Sequence, residues 1–339
     1  MELPQWDYAY GSPIATGKIK SCPADFIVEE QLPFTPSGSG EHVFLHIEKT
    51  GENTEYVARI LARIAGVRQR DIGVAGLKDR HAVTTQWFSV WLPTQNEPEW
   101  ADLETDHIKI LQIIRHTRKL KRGVLTGNQF TLVIRDFEGD KEKCEQRLET
   151  IKAQGFPNYF GEQRFGHQGQ NINTALALFE GTKKIKRQQR GIYLSAARSY
   201  LFNKILSKRI QLNTWNQVIS GDALMFNDSH SYFKADDIDD ALIERIATLE
   251  LHPTACLYGK GDTGISGDAL AIENEIIAQY PELSTGLIKF DLETDRRPLR
   301  AAPKDLRWQF LDENQLQLSF FLQAGSYATA LLREIVSDS

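Results

Sequence analysis

The chain has 339 residues, 41% hydrophobic and 25% charged, with a formal net charge of −5; that length exceeds what one core usually fills and calls for two domains. No apolar run approaches membrane-spanning length, and the opening MELPQWDYAYG puts acidic and polar residues where a secretion leader needs a basic patch and an apolar stretch, so a cytoplasmic protein is expected. The three cysteines, Cys22, Cys144 and Cys256, are scattered and lie outside any C-x-x-C pair, which argues against a disulfide framework or zinc knuckle and for buried, reduced thiols.

In chain order, VFLHIEK (Val43 to Lys49) reads as a strand. GENT then leads into a helix from about Glu55, with Val57, Ile60, Leu61, Ile64 and Ala65 on one face, Asn53 or Thr54 able to cap it and Gly66 able to end it. His42 and His46 have the spacing of a helical metal pair, but their segment alternates like a strand and no third ligand is near, so no metal site is expected. DIGVAG, a turn at Asp79 and the β-branched, aromatic TTQWFSVWL follow, then strands at HIKILQII and QFTLVIRD and a charged helix, KEKCEQRLETIKAQ, closing at Gly155. From Gly155 to about Arg300 the texture becomes helical, as in ARSYLFNKILSKRI, DDIDDALIERIATLE and DALAIENEIIAQY. The tail offers a hairpin, LRWQFL and LQLSFFL about DENQ, and a last helix capped by Ser326 and ending in LLREIV. If the hairpin joins the first-half sheet, the helical region is an insertion.

Positive charge is clustered despite the acidic total. Arg115, Arg118, Lys119, Lys121 and Arg122 form one run, and Lys183, Lys184, Lys186, Arg187 and Arg190 another. Each reads alone as a solvated face or as a phosphate-binding surface, and the two together favour RNA or DNA. Asp79 stands between Lys78 and Arg80, whose side chains in extended or turn backbone point away from it, leaving its charge partner to come from elsewhere. Such a carboxylate can cap a turn, or can attack or stabilise an electrophilic sugar carbon. In TGNQFTLVIRD, strand alternation puts Asn128 and Phe130 on one face, suited to bonding a base edge and stacking on its ring, or simply to a turn and a core. Phe26 and Tyr327 flank loops and can line a pocket or pack, and Lys20 is a candidate cation for Asp79. The glycine-rich PNYFGEQRFGHQGQN has neither phosphate-loop nor dinucleotide spacing.

Taken together, DFIVEE, EKTGENTEYVA, AGLKDRHAVTTQW, KRGVLTGNQF, GFPNYFGEQRFG, SAARSYLFN and GSYATALLRE, in this order through nearly the whole chain, resemble the TruD family of tRNA pseudouridine synthases. The resemblance implies an α+β fold: a pseudouridine-synthase-like core with a mixed sheet and flanking helices in residues 1–153 and 303–339, plus a mostly helical insertion domain in 154–302. It implies isomerisation of uridine 13 in certain tRNAs by cleaving the N1–C1′ bond and rejoining through C5, with Asp79 as the catalytic carboxylate. Phe26, Asn128 and Phe130 fall on uridine-contacting positions, and Tyr327 falls where an aromatic, commonly phenylalanine, is expected. No cofactor, metal or obligate protein partner is implied; the partner is tRNA.

Overall fold

The computed structural model describes residues 3–93 and 97–338. The chain begins with β1 (Ala15–Lys18), β2 (Phe26–Gln31), β3 (His42–Thr50), α1 (Thr54–Ile64), β4 (Ile72–Val74), β5 (Val83–Trp91), β6 (Ile108–His116) and β7 (Gly127–Gly139). It continues through α2 (Lys141–Gln154), β8 (Phe156–Pro157), α3 (Gln170–Glu180), α4 (Arg187–Gln211), β9 (Ala223–Phe226), β10 (Tyr232–Lys234), α5 (Asp240–Ala247), β11 (Leu251–Leu257), α6 (Gly267–Ala278) and α7 (Pro281–Lys289). It closes with β12 (Asp295–Pro298), β13 (Arg300–Ala301), β14 (Lys304–Phe310), β15 (Leu316–Gln323), α8 (Ala328–Leu332) and β16 (Val336–Asp338). Among the described residues, no helix is long and apolar enough to cross a membrane.

One compact unit is built on residues 15–140 and 303–325. Its sheet runs β14-β15-β7-β2-β5-β3-β6, with β1 on β7 and β4 on β5. The β2–β5 pairing is parallel and its neighbours β2–β7 and β3–β5 are antiparallel, so the sheet is mixed. The tail hairpin docks as expected: β15 lies along β7 with Phe320 opposite Phe130 and Leu322 opposite Asn128. Strand alternation in β3 sends Val43, Leu45 and Ile47 to the face covered by α1, where Val57 and Leu61 meet them together with Phe88 and Val90 of β5. Each such fully buried side chain is worth about 1.5–3 kcal/mol over an exposed one. Phe44, on the opposite face of β3, packs with Trp87, Ala75 and Leu120. Ala75 of that second cluster is the residue that follows β4.

The other unit comprises residues 3–14, 141–302 and 326–336. It divides the chain differently from the motif-based boundaries, because residues 6–10, α2 and the segment after α8 are stitched together. The Ala9 amide donates to Glu334 Oε2 at 3.0 Å, Arg333 Nη2 to the Trp6 carbonyl at 2.6 Å, Arg147 Nη1 to the Glu334 carbonyl at 2.7 Å and the Tyr10 hydroxyl to the Gly155 carbonyl at 2.6 Å. The long α4 buries Tyr200, Leu201, Phe202 and Ile205. Beside its helices this unit carries an antiparallel sheet, β10-β9-β11-β12, that the helical texture of the sequence conceals. The last helix is also shorter than expected: α8 spans five residues, Tyr327 rather than Ser326 occupies its N-cap position, and no side chain caps it. It stops at Leu332 as Arg333 and Glu334 turn to hold residues 6–10.

Candidate active site

Asp79 lies in the loop 75–82 between β4 and β5. The approach is tight: a Cβ on Gly73 would meet the Leu120 carbonyl at 2.3 Å and Ser89 Oγ at 2.4 Å, so only glycine lets β4 pass here. The loop is then tied at nearly every residue. Ala75 O accepts from the Gly123 amide at 2.8 Å, Gly76 O from Gln86 Nε2 at 3.3 Å, and the Lys78 amide donates to Thr54 Oγ1 at 3.0 Å. Thr54 also donates to Gln86 Oε1 at 2.7 Å, so this first residue of α1 serves the loop while the Asn53 side chain makes no cap.

The three consecutive charges diverge. Lys78 Nζ donates to Glu30 Oε2 at 2.6 Å with both side chains buried, and Arg80 Nε donates to the Gly51 carbonyl at 3.0 Å. Asp79 Oδ2 instead accepts from Lys20 Nζ at 2.7 Å, the two side chains being 34% and 18% exposed. Lys20 has a left-handed φ of 57° and its ammonium also lies 4.1 Å from the centre of the Phe26 ring. The turn that presents both is anchored by Asp25, whose buried carboxylate takes Arg135 Nε and Nη2 at 2.8–2.9 Å. That guanidinium holds the Asp25 carboxyl below its ordinary range.

Alternation on β2 and β7 gathers the remaining residues of this unit. Phe26 sits opposite Leu132, Val28 opposite Phe130 and Glu30 opposite Asn128. The Phe26 and Phe130 rings meet edge to face at 6.1 Å, and Phe130 stacks on Phe320 at 5.5 Å. Both are more buried than a stacking platform requires, at 4% and 7% exposure. Asn128 Oδ1 is buried without a hydrogen-bond partner, an unfilled acceptor beside the Glu30–Lys78 pair. Such an orphan favours a ligand N–H.

Two supports escaped the sequence reading. Lys49, entirely buried, donates from Nζ to the Asp79 carbonyl at 3.0 Å and the Glu52 carbonyl at 2.7 Å. Burial pushes its ammonium down to about 8, against the pull of Asp79. Its position was legible, since it continues the inward stripe Val43, Leu45, Ile47. The Asp25–Arg135 pair had no such signal, being 110 residues apart in sequence.

Tyr327 belongs to the other unit. There its hydroxyl accepts from Arg164 Nη2 at 2.7 Å and its ring meets Phe160 edge on at 6.0 Å. Arg297 lies 4.1 Å over that Phe160 ring, and burial pushes its guanidinium down to about 10.

The basic residues sort by environment. Lys119, Lys121 and Arg122, joined by Arg70, line a cleft of about 480 Å3 whose wall includes Thr54 and Leu77. Arg118 is exposed nearby. Arg115 differs: it bonds Glu97 at 2.8 Å and the Leu92 carbonyl at 3.0 Å, so its charge is committed within the fold. Lys183, Lys184, Lys186 and Arg187 are exposed just before and at the start of α4. His42 and His46 lie on β3, where burial lowers both rings and His46 stacks on Trp87 at 4.7 Å.

Residues 5–182 and 177–335 match the family profile described as tRNA pseudouridine synthase D (TruD). A protein of that name from Methylococcus capsulatus is 49% identical over 97% of this chain and 93% of its own length. Another from Nitrosococcus oceani is 48% identical over 99% of this chain and 95% of its own. A crystal structure from Methanosarcina mazei whose title names TruD superposes with a TM-score of 0.69 over 97% of this chain and 95% of that one. At 23% identity, that likeness speaks for the fold.

Proposed function

The chain belongs to the TruD family of tRNA pseudouridine synthases, isomerases that convert uridine to pseudouridine, and from that premise we propose that Asp79 is its catalytic carboxylate and uridine 13 of tRNA its target. The observation that carries this is the Asp79 side chain itself: partly exposed, ion-paired to Lys20, and mounted on a loop whose backbone is fixed by buried partners. A uridine in folded tRNA must leave its stack before its sugar can meet a carboxylate. Once there, Asp79 either attacks C1′ or removes the C2′ proton, and in both routes the N1–C1′ bond breaks. The uracil turns over, C5 bonds C1′, and the C5 hydrogen leaves as a proton while N1 gains one.

Phe26, Phe130 and Asn128 hold the base in this reading. The unpaired Oδ1 of Asn128, buried until the base enters, accepts the uracil N3–H, and a base that stacks on the face of Phe26 takes the space now filled by the Lys20 ammonium. Stacking thus loosens Lys20 from Asp79 as the sugar arrives. For Tyr327 the assignment rests on the family position alone. Lys119, Lys121 and Arg122 of the cleft, with Arg118 and the run Lys183, Lys184, Lys186 and Arg187, contact tRNA phosphates; Arg115 is left out because its guanidinium is already spent. Residues 154–302 form the insertion domain, the remainder the catalytic domain, and the enzyme works in the cytoplasm without cofactor or metal. Transcripts tritiated at uridine C5 should release label to water with the wild-type protein and retain it with Asp79→Ala; release by both would overturn the assignment.

A further inference from the structure

The structure gives the motif EKTGENT one shared physical task. Residues 49–54 form a cradle against the loop of Asp79. Lys49 Nζ bonds the Asp79 carbonyl at 3.0 Å, the Gly51 carbonyl accepts from Arg80 Nε at 3.0 Å, the Gly51 amide donates to the Ala82 carbonyl at 3.3 Å, and Thr54 Oγ1 accepts from the Lys78 amide at 3.0 Å. Gly51 holds a φ of 72°, which turns the chain so that both its amide and its carbonyl face the loop. Lys49 is the only member of this cradle that brings a charge to the Asp79 backbone. Its side chain has no exposure, and among the described residues no carboxylate lies within ion-pair distance of its ammonium.

A buried ammonium bonded to two neutral carbonyls is costly, since neither acceptor cancels its charge. A methionine or leucine would finish the Val43, Leu45, Ile47 stripe more cheaply. We infer that Lys49 is a positioning residue for Asp79, fixing the carboxylate's backbone and supplying a second positive charge behind it that remains when Lys20 is displaced by the substrate. This rests on the reading of Asp79 as the catalytic group. The charged groups facing Lys49 are Asp79 and Lys78 from the loop and Glu52 from its own turn, with Arg80 on the neighbouring Gly51 carbonyl. Across the strands it faces Thr84 of β5 and Ile108 of β6, which do not titrate in the working range.

The test compares the wild type, Lys49→Met, Lys49→Arg and Asp79→Asn in single-turnover tritium release and in tRNA binding, from pH 6 to pH 9. Lys49→Met should slow release about a hundredfold while its Kd for tRNA stays within about twofold, and Lys49→Arg, which keeps the charge, should recover part of the rate. The wild-type rate should fall above about pH 8, where Lys49 loses its proton, and Lys49→Met should show no such fall. Wild-type rates in Lys49→Met, or equal losses of rate and binding with an unchanged pH profile, would overturn the inference. Full activity in Asp79→Asn would instead overturn the reading beneath it, so the two failures are distinguishable.

Discussion

Replacing Lys78 with methionine isolates the pair that fastens the loop to the sheet. Glu30 is fully buried at its side chain and Lys78 nearly so, with 2.6 Å between Nζ and Oε2, while Oε1 keeps the Trp87 amide at 3.1 Å. Removing one member of such a pair typically costs about 3–5 kcal/mol, because the survivor is left charged in a poor solvent. The protein has an escape: it can protonate the abandoned carboxyl, which for an ordinary glutamate costs about 1.36 kcal/mol per unit of pH above 4.3, or ~3.7 kcal/mol at pH 7 and ~1 kcal/mol at pH 5. Lys78→Met should therefore destabilise this unit by about 3–4 kcal/mol at pH 7 and by markedly less at pH 5. Adding Glu30→Gln, which removes the charge and retains an acceptor for the Trp87 amide, should restore at least half of the loss at pH 7. Urea unfolding of the two single variants and the double variant at both pH values closes the cycle. A cost below about 1 kcal/mol at pH 7, or one equal at the two pH values, would show that the pair is not isolated from water.

Phe130→Ala should lose about 3–5 kcal/mol of stability in thermal or urea melts, since the ring is packed between Phe26 and Phe320 and is 7% exposed; a much smaller loss would show that the ring does not carry that packing. Lys121→Gln with Arg122→Gln should weaken tRNA binding and flatten the slope of log affinity against log salt by roughly two. Arg115→Gln should leave that slope alone and lower stability instead, because its partners are Glu97 and backbone carbonyls. Burial pushes the Glu334 carboxyl up to about 7, so it stabilises the fold fully below about pH 4.5 and that contribution is lost as pH rises through 7. Glu334→Gln should accordingly gain stability relative to the wild type across that window, a trend read from paired melting curves.

How much of this was visible in the sequence depended on whether the signal was periodic. β3, α1, β5 and the β7 face carrying Asn128 and Phe130 follow from alternation and helical spacing, and the same alternation sends Lys78 and Arg80 away from Asp79. The Lys20–Asp79 pair joins residues 59 apart through a left-handed backbone position, which no periodicity encodes. In the other unit, β9 and β10 are four and three residues long and β11 contains Pro253, so each is too short or interrupted to stand out among helices as strong as α4. α8 fails for another reason: its pattern runs on into Arg333 and Glu334, yet their tertiary hydrogen bonds to residues 6–10 take the chain out of the helix.

The same contrast bears on how the Asp79 loop can be both exact and responsive. Its backbone is fixed from several separate stretches of chain, by Lys49 and Thr54, by Gln86 and by Gly123, and the fully buried members cannot relax without opening the core. Its carboxylate, by contrast, is held by one lysine on a four-carbon stem that is shared with the Phe26 ring and partly open to water. A pair of that exposure contributes at most about 1 kcal/mol to the fold, which an arriving base can exceed through stacking worth about 1–3 kcal/mol. Displacing Lys20 is thus within reach of substrate binding, whereas moving the Asp79 backbone is not. Position is therefore assigned to buried bonds and availability to an exposed one, and changes at Lys49, Thr54 or Glu30 should harm turnover although none of these side chains needs to touch RNA.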